Sequence, residues 1–200
     1  MLIVACTVGS PALAVMKASV ETYAPEHELR VRQGTEGNFG DDYNLAISEA
    51  FADHDEIIVS NDDVVLTPDT MRVLLEDVER LEQTEKLGFV ATRADAIRPA
   101  QNIRNNDGSQ ILAVYTVSPV FAWLSKEAFK QAQFPPINWY GDDVMCLDLH
   151  TAGFRNFVSR AYVHHAGSTT IGHDNQKNHD AAAPWVRKHR PDYARQLFNS

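Results

Sequence analysis

The chain has 200 residues, 44% of them hydrophobic, and a formal net charge of −9 from 27 acidic and 18 basic side chains. This suits one domain with a substantial core, and the acidic excess without a long basic run disfavours sequence-independent nucleic-acid binding, which works by neutralising phosphates. No apolar run approaches a membrane span and residues 1–4 lack the basic start of a secretory signal, so a cytoplasmic soluble protein is expected.

In chain order, residues 2–8 form a continuous apolar strand, and Leu13, Met16, Val20 and Tyr23 then mark one helix face. Glu28–Gln33 reads as a short strand, the glycine-rich segment 34–40 as a flexible loop, and Tyr43, Ala46, Ile47, Ala50 and Phe51 as a second helix. Glu56–Ser60 is a strand that runs into Asn61-Asp62-Asp63. Thr67-Pro68-Asp69-Thr70 reads as the capped start of a helix over 68–86, with Thr67 as the cap. Residues 88–93 form another strand, 98–110 a polar mobile surface loop, and 111–125 a β-rich stretch broken at Ser118-Pro119. A short helix over 126–133 is followed by Gly141-Asp142-Asp143, a helix over 144–152 ending at Gly153, and a strand over 154–165 that closes on His164-His165. Residues 166–183 lack core periodicity and suit a lid or tail, and 184–197 reads as a terminal helix that breaks near Pro191. Alternation of strand and helix predicts an α/β domain with a largely parallel sheet over 1–183, and a C-terminal helix or tail over 184–200. Cys6 and Cys146 both fall in apolar segments and read as buried, unpaired thiols.

Asn61-Asp62-Asp63, Asp142-Asp143 and His164-His165 each close or follow an apolar segment, and ligands of open α/β sheets collect beyond the carboxyl ends of the strands. Asx residues also close strands by bonding the turning backbone, and Asp142 alone reads as the cap of the following helix. Two adjacent carboxylates at the end of a buried strand repel one another, however, and a hard cation such as Mn²⁺ or Mg²⁺ relieves that repulsion; an imidazole is compatible with Mn²⁺. There is no Gly-x-Ser-x-Gly elbow, Walker loop, GxGxxG fingerprint or His-Glu-x-x-His helix.

The stretch GNFGDDYNLAISEAFADHDEIIVSNDDVVLTPDTM (37–71) resembles the family-2 glycosyltransferases of the GT-A fold, in which a strand, an acidic DxD-type motif and a Pro-Asp helix follow one another. FAWLSKEAFKQAQFPPINWYGDDVMCLDLHTAGFRNFVSRAYVHHAGST (121–169) is similar to the second half of that pattern: an acid pair of the xED type, a helix ending in Ala-Gly-aromatic, and a strand ending in His. The tail PWVRKHRPDY also looks like theirs, so the resemblance covers about residues 1–193. It implies a single GT-A-like α/β domain and a metal-dependent, inverting transfer of sugar from a nucleotide-diphosphate donor to an acceptor hydroxyl on a glycan, protein or small molecule. Asp63 and His164, with His165 as the alternative, would hold Mn²⁺ or Mg²⁺, and Asp62 would contact the ribose or assist the metal. Thr7, Val8, Gly9 and Ser10 would line the nucleobase, and Asn44 and Asn61 would join the nucleotide site. Asp143, with Asp142 as the alternative, would be the general base.

The sequence departs from that pattern in places. The Asp-x-Ser-x-Asp loop after the second strand is missing, Asn61 stands where many members have the first Asp, and Asp142 where most have Glu. The chain is short for the family, so the acceptor side is minimal or completed by a partner, and a homo-oligomer is compatible with it. Two rival readings follow: a degenerate sugar-nucleotide-binding protein, and a metal-dependent phosphohydrolase or nucleotidyltransferase.

Overall fold

A computed structural model describes residues 1–165 and 174–198. In chain order the elements are β1 (Leu2–Thr7), α1 (Leu13–Tyr23), β2 (Glu28–Gln33), α2 (Phe39–Ala50), β3 (Glu56–Ser60), β4 (Val64–Leu66) and α3 (Thr70–Glu82). They continue with β5 (Leu87–Arg93), β6 (Leu112–Val114), β7 (Phe121–Ser125), α4 (Lys126–Gln131), α5 (Gly141–Thr151), β8 (Arg155–His165), α6 (Asn175–His189) and α7 (Pro191–Phe198). The eight strands make one sheet in the order β2-β1-β3-β7-β5-β8-β4, with β6 pairing on β8. β2, β1 and β3 are mutually parallel, β7 reverses between β3 and β5, and β5 runs parallel to β8. β4 and β6 both run antiparallel to β8.

Period-two alternation divides β1 between two cores. Leu2, Val4 and Cys6 face Tyr43 and Ile47 of α2 and Met145 and Leu149 of α5. Ile3 and Ala5 face Met16 and Val20 of α1 and Leu74 and Val78 of α3. Every β1 residue is therefore buried, which is why that stretch is apolar without interruption. β2, at the sheet edge, is only partly covered and carries Arg30 and Arg32. Both cysteines are buried and unpaired, as expected.

Several helices begin or end away from their predicted positions. α2 starts at Phe39 because the Asn38 carboxamide accepts the Asp41 N–H at 2.9 Å, so half of the presumed flexible loop is a capped helix start. α3 starts at Thr70, whose hydroxyl accepts the Thr67 N–H at 2.8 Å and donates to the Tyr162 carbonyl at 2.6 Å, so the capping role assigned to Thr67 passes to tertiary contact. α5 begins at Gly141, putting Asp142 and Asp143 inside its first turn, where the helix dipole favours anions. Residues 175–183 form the first half of α6, which runs on through Pro184. The rest of the lid or tail reading, 166–173, lies outside the described residues. Ala182, Val186 and Ala194 of α6 and α7 pack on Ile137 and Val144. Among the described residues no helix is long and apolar enough to cross a membrane.

Candidate active site

β3 delivers Asp62 and Asp63 beyond its carboxyl end, and both side chains are only 5% exposed. The turn is anchored on all sides: Tyr43 Oη donates to the Ser60 carbonyl at 2.9 Å, and the Asn61 N–H donates to the Val120 carbonyl at 2.8 Å. Asp62 Oδ2 is buried without a hydrogen-bond partner. Burial pushes the Asp62 carboxyl above its ordinary value and Asp63 adds to the rise, while the Thr7 hydroxyl opposes it. Thr7 also accepts the N–H groups of Gly9 and Ser10 at 3.1 and 3.3 Å, so the loop after β1 is shaped by the same side chain that touches Asp62. Val8 in that loop is 60% exposed and Gly9 has φ 98°, leaving an open backbone edge beside the acids.

The short strand β4 decides which histidine meets the first acid pair. Its antiparallel register sets Val64 opposite His165 and Val65 opposite His164, so Asp63 arrives beside His165. Along β8 the odd positions face inward there, and His165 is buried while His164 is exposed. His165 Nε2 lies 3.2 Å from Asp63 Oδ1, close enough for charge pairing although not aligned as a hydrogen bond. His164 instead pairs with Asp95 at 2.5 Å on the outside. Of the two histidines singled out by sequence, it is therefore His165, the alternative to His164, that lies beside Asp63, because strand alternation sends the two rings to opposite faces.

Could Asp63 and His165 share a cation? Two ligands at right angles on an ion at about 2.1 Å are about 3 Å apart, close to the separation found. The Ala96 carbonyl lies 2.8 Å from His165 Nδ1, which holds the proton on that nitrogen in the neutral ring and leaves the Nε2 lone pair facing the carboxylate. In the ionised ring, burial works against the charge, but Asp63 outweighs it, so the His165 pKa lies above its ordinary value. Either a proton or a metal ion satisfies this edge. Among the described residues no three His, Cys, Asp or Glu side chains gather to hold a metal by themselves. Mg²⁺-type ions bound largely through substrate phosphates need only one or two protein groups, so the residues fit a cation completed by its substrate.

The second acid pair sits on the other side of segment 118–120. That segment receives Asn61 N–H at Val120 and sends the Ser118 hydroxyl to Asp142 Oδ2 at 3.0 Å. Arg98 spans the pair: Nη2 donates to Asp142 Oδ2 at 2.6 Å and Nη1 to Asp143 Oδ1 at 2.7 Å. The remaining Asp142 oxygen, Oδ1, accepts the Asp143 N–H at 3.0 Å. Asp142 is therefore held through both oxygens, while Asp143 is held by Arg98 at Oδ1 and by the Thr116 hydroxyl. Burial pushes the Asp143 carboxyl up, Asp142 adds to that, and Arg98 opposes both. Just before the pair, Tyr140 adopts φ 64°, the one left-handed non-glycine among the described residues, which turns the chain sharply into α5.

The structure thus gathers Thr7, Asp62, Asp63 and His165 in one cluster and Asp142 and Asp143 in a neighbouring one. Asn44 stands apart in its bonding: its carboxamide donates to the Phe134 carbonyl at 2.8 Å and accepts the Phe134 N–H at 3.0 Å. Both of its ends serve the docking of α2 on the chain that leads to α5. Arg98, Thr116, Ser118, Asp95 and Ala96 were not singled out by sequence. Arg98 fell in the polar stretch read as mobile, and the one available signal was the need of two adjacent carboxylates for a cation. That stretch is tied down from within: Gln101 is fully buried, donates to the Thr92 and Ser118 carbonyls at 3.0 Å each, and accepts the Ser118 N–H at 2.7 Å.

No protein-family model matches the sequence, and no curated protein sequence does. Solved structures do match. S. aureus TarS residues 1–349 in complex with UDP-GlcNAc superposes with a TM-score of 0.60 at 14% identity, over 98% of this chain and 69% of that one. The same protein in complex with UDP gives 0.57 at 13% identity, over 98% and 74%. A197 from STIV gives 0.56 at 14% identity, over 78% and 80%. TarS is a GT-A-type glycosyltransferase, and the mixed eight-stranded sheet flanked by helices described above is a GT-A-like fold.

Proposed function

We propose that the chain is a metal-dependent glycosyltransferase that moves a sugar from a nucleoside-diphosphate donor to an acceptor hydroxyl with inversion at the anomeric carbon. The observation that carries this reading is the placing of two acid pairs on either side of segment 118–120, within a GT-A-like fold. One pair is buried beside a histidine and suits a cation on a diphosphate; the other sets Asp143, braced by Arg98 and Thr116, to take a proton.

In this reading the loop 7–10 and Asp62 hold the nucleoside. Asp63 and His165 would hold Mn²⁺ or Mg²⁺, which when bound would neutralise the diphosphate as a Lewis acid. Asp143 takes the proton from the acceptor hydroxyl as its oxygen bonds to the anomeric carbon. The bond from that carbon to the diphosphate oxygen breaks in the same displacement, and the nucleoside diphosphate leaves. Asp142, held through both oxygens, keeps its neighbour aimed.

A thermal-shift panel of UDP, GDP, CDP, ADP and dTDP with and without Mn²⁺ tests the binding half. One nucleotide at a hundred times its dissociation constant should add about 2.7 kcal/mol, and only with Mn²⁺. Stabilisation by none of them contradicts the reading. Release of monophosphate or phosphate in place of nucleoside diphosphate, from UDP-GlcNAc, UDP-glucose or GDP-mannose, would reassign the site to a phosphohydrolase.

A further inference from the structure

We propose that Arg98 is the positioning residue of the second acid pair: its guanidinium fork anchors Asp142 and leaves Asp143 as the side chain that takes the acceptor's proton. The role of that proton rests on the transferase reading; the fork rests on geometry alone.

Two carboxylates on consecutive residues resist joint ionisation, and one planar guanidinium can hold an oxygen of each. Arg98 does so, and its other bonds fix the plane of the fork: Nε donates to Ser118 Oγ at 2.8 Å and Nη1 also donates to Thr116 Oγ1 at 2.7 Å. Behind it, Gln101 bolts the same segment to Thr92 and Ser118, so the fork cannot drift without breaking buried hydrogen bonds. The two acids are treated unequally. Asp142 is closed by Arg98, Ser118 and the Asp143 N–H over both oxygens, whereas Asp143 is held by Arg98 at Oδ1 and by the Thr116 hydroxyl.

The other titratable groups around Asp143 do not share this role. Cys146, one turn along α5, stays a neutral thiol because burial pushes it far above its ordinary value. The Tyr140 phenol meets His179 Nδ1 of α6 at 2.9 Å, and Arg187 of α6 acts on that phenol. Among the described residues, Arg98 is the cation in direct contact with the acid pair. It opposes the upward push of burial and Asp142 on Asp143, so its loss raises the pH at which Asp143 can accept a proton.

The test compares Arg98→Gln, which removes the charge, with Arg98→Lys, which keeps charge but not the fork. Carboxyl titration of the donor-free protein by ¹³C NMR needs no ligand. The Asp143 midpoint should rise by about one pH unit or more in Arg98→Gln and stay near the parent in Arg98→Lys. Nucleoside diphosphate release from the three-donor panel should show its acid limb moving with that midpoint in Arg98→Gln. In Arg98→Lys the limb should stay while the plateau falls by about 10²-fold, because charge without the fork misplaces the base. Affinity for UDP with Mn²⁺ should stay within about twofold in both, a result that loss of folding would not give. A folded Arg98→Gln protein with an unmoved Asp143 midpoint, or an Arg98→Lys protein with the parent's rate, overturns the proposal. Should Arg98→Gln fail to fold, Ser118→Ala removes a support of both Arg98 and Asp142 and must raise the same midpoint. If the midpoint rises while the parent releases nothing from any donor, the control of ionisation stands and the transferase reading falls.

Discussion

Asp62 shows how a site can cost stability. Burial, with Asp63 beside it, lifts its carboxyl above the ordinary value of 3.8. The folded chain therefore holds that proton more tightly than the unfolded one, and stability falls as pH rises from there through the folded pKa. Above that window the ionised group is a net cost, so Asp62→Asn should raise the Tm of the metal-free protein at neutral pH and flatten its loss of stability above pH 3.8. Thermal melts across pH read this, and a lower Tm for the variant would show the carboxylate to be a structural turn former. For the histidines, the inward ring is the one that matters: His165→Ala should weaken Mn²⁺-dependent UDP binding by about tenfold or more, and His164→Ala by less than about twofold. Calorimetry in Mn²⁺ distinguishes them, and equal effects would remove histidine from the site. The histidine pair was legible in sequence, but its polarity was not. The three residues of β4 are too short to announce a strand, and only their pairing with β8 fixes which ring turns inward.

At the scale of elements, the approach of α2 to the chain entering α5 depends on Gly40. A Cβ there would lie 1.8 Å from the Pro135 carbonyl oxygen, so Gly40→Ala should destabilise the fold by about 1–3 kcal/mol. Gly141, at the start of α5, has only ordinary contacts at 3.9 Å, and Gly141→Ala should stay within about 0.5 kcal/mol of the parent. Urea denaturation of the two compares them directly; equal stabilities would mean that α2 does not press on residue 135. The long strands and most of the periodic helix faces were read correctly because burial on one face imposes a period; Tyr23, placed on the α1 face, is exposed. β2 matched its predicted bounds, and β1 ended one residue earlier. Helix starts were misplaced by a few residues, because α2, α3 and α5 begin where a particular side chain or a turn satisfies the first N–H groups. Thr70 shows why: its hydroxyl answers to Tyr162, ninety-two residues away in the chain.

For the whole molecule, the sheet order brings both acid pairs against segment 118–120, through contacts no local pattern encodes. Part of the polarity of 98–110 turns inward: Arg98 and Gln101 reach α5 and segment 116–118, and the Asn106 carboxamide donates to the Ala100 carbonyl at 3.3 Å. Polarity in a sequence does not separate a solvated loop from an internal network, so this half of the site stayed hidden while the acids themselves were visible. In the proposed reaction Asp143 takes the acceptor's proton and has no part in holding the donor. The most direct measurement is nucleoside diphosphate release by Asp143→Asn beside its donor affinity, with candidate acceptors added. Release should fall by about 10²–10⁴-fold while UDP binding in Mn²⁺ stays within a few fold of the parent. Release at the parent's rate, or loss of UDP binding together with release, would contradict it.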